Sequence, residues 1–194
     1  MNLRHHIDSL KAVKTVPAAK KLAVSNNAFV TLLSKAGSPY KLALGQSPFA
    51  DTSAQITALA PELLALKGLR LSKAQQASQG TEVSFKTAKP VKLLVGYFTQ
   101  KKPGYLSSPQ LETDASANDY GQADIKIANA ALVAGQPPVN VHAYSFKAGT
   151  HTLNLGRGAC LILGFMDADQ PLRTYNAGLG GGGEQVKEID WLFE

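Results

Sequence analysis

Short apolar stretches of strand length, punctuated by Gly, Pro and Asn, run along most of this chain. Residues 28–33 and 40–44 flank the turn signal Lys35-Ala36-Gly37-Ser38-Pro39, and Tyr40, Leu42 and Leu44 fall on one face of the second piece, which predicts a hairpin. Residues 55–59 and 69–71 follow as short strands. Between them Pro61-Glu62-Leu63-Leu64 opens one helical turn that closes before Gly68. Residues 72–80 are polar and predict a connection, after which 81–86 alternates Val83 and Phe85 against Glu82, Ser84 and Lys86. Two runs, 91–98 and 159–165, are almost continuously apolar. Each contains Gly followed by an aromatic residue, so both predict strands buried on two faces and in similar sheet positions. Residues 124–131 fit either period, and their place between polar loops favours a strand. The segments 139–146, 151–155 and 189–193 complete the series, the last anchored by Trp191 behind a glycine-rich loop at 178–183.

About ten short strands with turn signals and no repeat of fixed length predict an all-β fold, an antiparallel β-sandwich or jelly roll with little helix. Residues 1–21 read as an N-terminal extension or linker and 22–194 as the β-sandwich domain.

The succession Pro61-Glu62-Leu63, Leu66-Lys67-Gly68-Leu69-Arg70, Gly80-Thr81-Glu82-Val83-Ser84-Phe85 and Pro90-Val91-Lys92-Leu93-Leu94-Val95-Gly96-Tyr97-Phe98 resembles galactose-binding-like β-sandwich accessory domains of bacterial polysaccharide-processing proteins. That resemblance implies an exported, extracytoplasmic module, periplasmic, cell-surface or secreted. It would bind glycans or pack on a neighbouring catalytic domain, with calcium as a common support of the fold. Its motifs are core and turn residues, so no ligand-binding position is carried over.

Composition narrows the picture. A chain of 194 residues, 44% hydrophobic, buries a sizeable core without disulfides, and its single cysteine, Cys160, sits inside an apolar run where it reads as a small hydrophobe. The net charge is +6, but residues 1–21 carry Arg4, Lys11, Lys14, Lys20 and Lys21 against Asp8, a net +4 that leaves +2 for the remainder. Nucleic-acid binding wants the excess on one folded face, so the charge disfavours that partner. No stretch reaches the roughly 18 apolar residues of a membrane span, and the N-terminus lacks the order of a signal peptide.

Candidate chemistry concentrates in the polar stretch 99–124. A sugar site needs an aromatic plate and polar groups that fix hydroxyls, for which Lys101, Tyr105, Asn118, Asp119, Tyr120 and Arg157 have the chemistry. Glu112, Asp114, Asp119 and Asp124 supply hard oxygens suited to calcium, without the spacing or internal glycine of an EF-hand loop. Paired carboxylates there open the alternative of a glycoside-active enzyme. No Gly-x-Ser-x-Gly elbow, phosphate loop or zinc pattern is present, and the adjacent His5 and His6 point apart on a helix. The expected function is a non-catalytic carbohydrate-binding module, with docking on a catalytic neighbour as the second reading.

Overall fold

In the computed structural model, residues 29–35, 37–111 and 115–180 are described. They form eleven strands, one 3-10 turn at Pro61–Leu63 where the sequence predicts a helical turn, and one short α-helix: β1 (Val30–Leu32), β2 (Ser38–Lys41), β3 (Ile56–Leu59), β4 (Lys67–Arg70), α1 (Lys73–Gln79), β5 (Thr81–Thr87), β6 (Val91–Phe98), β7 (Ile125–Val133), β8 (Val139–Phe146), β9 (Gly149–Leu155), β10 (Leu161–Asp167) and β11 (Tyr175–Asn176). A small sheet runs β1-β5-β9. A large one runs β11-β7-β8-β6-β10-β4-β2, with β3 also on β7. All pairings but β11 with β7 are antiparallel, so the all-β sandwich is the fold. The expected extension at 1–21 and terminal strand at 189–193 lie outside the described residues.

The centre of the large sheet is apolar on both faces. From β6, Val91, Leu93, Val95 and Tyr97 point into a core shared with Val83, Phe85 and Leu153 of the small sheet. Leu94 and Phe98 point the other way, into a second core with Leu42, Phe49, Ile56, Ile127 and Val141. That second core holds side chains from β2 and from β3, which sit at opposite ends of the sheet, so the sheet curls around it. Two backbone bonds fasten the curl: Gly45 N–H to Ile56 O at 2.9 Å and Ile56 N–H to Gln46 O at 2.8 Å. Phe85 centres the first core, edge-on to Phe146 at 5.0 Å and tilted against Phe165 at 4.7 Å.

Three local expectations are corrected. Residues 28–33 and 40–44 do not form a hairpin, because β1 pairs β5 (Leu32 opposite Phe85) while β2 pairs β4 (Tyr40 opposite Gly68). The turn between them carries the chain from one sheet to the other, and Leu44 is 59% exposed where its alternation with the buried Tyr40 and Leu42 predicts burial. The polar stretch 72–80 is a helix, because its first turn is capped twice. Ser72 Oγ accepts from Gln75 N–H, and the Asp51 carboxylate accepts from Lys73 N–H at 2.7 Å and Ala74 N–H at 3.0 Å. Those backbone bonds, that from Ala74 foremost, hold Asp51 below the usual carboxylate range.

The third concerns the paired glycines, which are not equivalent. Gly96 lies opposite Leu161 in a regular ladder, whereas Gly164 sits where the β6–β10 register shifts, with φ +130 and the place of a Cβ 2.6 Å from Lys67 O. A side chain there meets backbone in a conformation that L residues rarely adopt. Gly164→Ala is expected to lower stability by roughly 2–4 kcal/mol, read as a fall in the urea midpoint with unchanged m-value; an unshifted midpoint contradicts the packing described.

Candidate functional site

Three strands cannot cover the whole inner face of the large sheet. Beyond β9 the segment between β6 and β7, in its described parts 99–111 and 115–124, lies over that face. Its backbone is tied to the sheets at separate points: Leu106 N–H donates to Ala159 O at 3.1 Å, Ser145 N–H donates to Tyr120 O at 2.8 Å, and His142 Nδ1 bonds Gln122 O at 2.6 Å. Gly158 makes the first tie possible, because a Cβ would collide with the backbone of Tyr105 and Leu106. Between the loop and the edge strand β9 a cleft of about 500 Å³ remains.

Its floor is a pair of tyrosines. Tyr97 and Tyr144 stand on neighbouring strands, 2% and 3% exposed, with their hydroxyls hydrogen-bonded to one another. Burial pushes Tyr144 up to about 12 and Tyr97 higher still, so both stay protonated at neutral pH. Two hydroxyls carry two protons and one serves the mutual bond, leaving a second donor on the floor. Lys101, Ser107, Asp119 and Tyr120 line the loop side, and Asn154 the β9 side. Tyr120 packs against Phe146 at 4.8 Å and keeps 37% of its surface exposed, the half-supported arrangement of an aromatic plate.

The wall below Tyr120 is fixed by Gln122, which is 5% exposed: its Oε1 accepts from Tyr120 N–H at 2.8 Å and its Nε2 donates to Ser116 O at 3.3 Å. His142 holds Gln122 in turn. Because Nδ1 must donate to the Gln122 carbonyl, the neutral ring presents a lone pair at Nε2, which is buried without a partner among the described residues. Burial foremost pulls the His142 pKa down, and Lys126 adds to this, while the Gln122 bond and Asp124 oppose it.

The structure therefore brings Lys101, Asp119 and Tyr120 to one cleft and places the other sugar candidates elsewhere. Tyr105 packs on Phe98 at 4.7 Å, bonds Gln136 through its hydroxyl and belongs with the second core. The Asn118 side chain accepts from Ala123 N–H at 3.2 Å and shapes the loop. Arg157 is exposed on the turn after β9. Among the acidic candidates Asp119 and Asp124 are exposed, and Glu112 and Asp114 lie outside the described residues; no group of three metal-binding side chains occurs among those described. Cys160 is buried beside Gln76, which donates to its carbonyl oxygen at 3.1 Å, and burial pushes its thiol up to about 12, away from nucleophilic use.

Sequence reasoning passed over Tyr97, Gln122, His142 and Tyr144. The available signal was the polar aromatic face of 139–146, where His142 and Tyr144 alternate with Val141 and Ala143 and are themselves buried.

No family model matches the chain, and no curated protein matches it. Among solved structures it is similar to a GH138 enzyme targeting pectin rhamnogalacturonan II, with 32% sequence identity and a TM-score of 0.77 over 91% of this chain and 20% of that one. It also matches a β-glucuronidase from glycoside hydrolase family 2 at 12% identity and a TM-score of 0.47, over 72% of this chain and 14% of the other. The chain thus spans about a fifth of the length of the GH138 enzyme, and the similarity supports a carbohydrate-related role.

The His142 geometry has a pH consequence. A histidine whose folded pKa lies below its unfolded value costs nothing while both states are neutral. As pH falls through the unfolded value of about 6.5, the unfolded chain takes up the proton first and stability drops, by up to about 1.4 kcal/mol per pH unit. Denaturation of wild type between pH 7.5 and 5 should show this loss, and His142→Gln should remove that component; equal slopes in the two proteins refute a depressed His142.

Proposed function

We propose that this chain is a non-catalytic, glycan-binding accessory module of a carbohydrate-processing protein, and that the cleft under Tyr120 is its recognition site. The observation that carries the reading is the convergence of Tyr120, Asp119 and Lys101 on one cleft floored by the Tyr97–Tyr144 hydroxyl pair. Tyr120 offers a face to the apolar side of a sugar ring, Asp119 accepts from hydroxyls, and Lys101 donates. The 32% identity to an enzyme that targets pectin rhamnogalacturonan II supports a pectic glycan as ligand.

Binding fits the cleft better than hydrolysis. Cleavage needs an acid and a second carboxylate facing each other across the bond, and among the described residues Asp119 is the one carboxylate that lines the cleft. A module of this kind meets its polymer outside the cytoplasm, so we place it there. Calcium enters as a proposal through Asp119 and Asp124 together with Glu112 and Asp114. A second reading, a domain that orients a catalytic neighbour, draws on the one-fifth coverage of the GH138 enzyme and on the exposed Leu44 and Leu64.

The test is binding of the purified chain to pectic and other glycans, in calcium and in chelator. Tyr120→Ala and Asp119→Asn should each weaken binding roughly tenfold; Asp119→Asn should leave the unfolding midpoint in place, since its side chain is exposed, whereas Tyr120→Ala also removes the packing on Phe146 and should lower the midpoint. Loss of binding in chelator assigns a calcium ion to the acidic loop. Binding by both variants at wild-type strength moves recognition away from the cleft, and no binding of any glycan leaves the docking role as the account.

A further inference from the structure

We propose that the cleft under Tyr120 is one half of a longer groove, and that the groove holds an extended acidic oligosaccharide strand across the turn Gly156-Arg157-Gly158. The inference rests on the glycan-binding reading above and extends it from a single sugar position to a polymer segment.

A second cleft, of about 530 Å³, lies on the far side of the end of β9. It shares Asn154 and Leu155 with the first, so the two meet at the same strand end. Asn154 pairs in register with Glu82, which places both exposed side chains on the outward face of the small sheet. The turn that follows forms the saddle between the clefts. Gly156 carries no side chain and Gly158 is seated against the Leu106 backbone, so Arg157 is the one side chain the turn presents. It is also fixed from both sides: Gly158 N–H donates to Gln76 O at 2.8 Å, and Leu106 N–H donates to Ala159 O at 3.1 Å. Gln76 lines the second cleft and Leu106 the first.

The chemistry along this path is that of a sugar strand with carboxylates. Gln75 and Gln79 line the second cleft and Asn154 the junction, exposed amides that both donate and accept. Cations recur along the path, Lys101 in the first cleft, Arg157 on the saddle and Lys35 in the second, against the carboxylates of Asp119 and Glu82. Each exposed charge contributes little alone. Spread along a groove, they favour a ligand that brings negative charge at intervals, and each further unit bound is an intramolecular event.

Calorimetry with galacturonate oligomers, from disaccharide to octasaccharide, tests this on the whole chain. The longest oligomer should bind at least roughly tenfold more tightly than the disaccharide, with an affinity that falls as salt rises. The double variant Lys35→Ala/Gln79→Ala should erase the gain with length, so that all oligomers bind as the disaccharide does. Affinity independent of length overturns the groove and leaves the single-site reading standing. An uncharged galactose oligomer of equal length that binds equally well overturns the acidic character of the ligand. Failure of every oligomer, where another glycan of the panel above binds, overturns the groove alone; failure of every glycan overturns it together with the reading beneath it.

Discussion

Strands β6 and β10, and β8 apart from its exposed Ser145, are buried on both faces, and that constraint organises the rest of the molecule. Each face needs its own cover, and the chain supplies two different ones. The small sheet, with Phe85 at its centre, covers one face; the curl of the large sheet, closed between Gly45 and Ile56, covers the other. Three strands are narrower than the face they must cover, so a loop has to finish the work. A loop over a buried surface carries backbone polar groups that need partners, and His142, Gln122 and Ser145 meet that need. The cleft is the space left where loop and edge strand fail to meet.

A site made this way has a rigid floor and a wall held by polar bonds. Tyr97 and Tyr144 belong to the most buried strands and cannot shift without disturbing the first core. Tyr120 and Asp119 stand on a loop whose position depends on a few hydrogen bonds, one of them from a histidine whose other nitrogen has no partner among the described residues. The floor of the cleft is therefore set by the sheet, and its rim by side chains carried on the loop.

The strands were legible where the signal was local. Alternation at 81–86 and continuous apolarity at 91–98 and 159–165 follow from burial on one face or two, and the structure places β5, β6 and β10 there. Partners were not legible. The turn at 35–39 has the composition of a hairpin, yet it links two sheets, because pairing is decided by cores assembled from residues far apart in sequence. Helix α1 was missed because one of its caps, Asp51, lies more than twenty residues upstream. In the site, Asp119 and Tyr120 were readable as exposed polar chemistry in a loop. Their neighbours on the floor were hidden, since a tyrosine inside an apolar strand looks like core until the sheet shows what lies above it.

The curl has a consequence for life at high concentration. Open sheet edges are templates for pairing with another chain, and the strands most able to aggregate are long, flat and apolar. Here β6, with Lys92 as its one charge, lies between β8 and β10 and has no free backbone edge. The rim of the large sheet is left to short pieces: β11 with two residues, β3 and β2 with four each, the last interrupted by Pro39 and ending on Lys41. A large sheet whose most apolar strands are enclosed and whose described rim strands are short offers little template for joining its own kind into fibres.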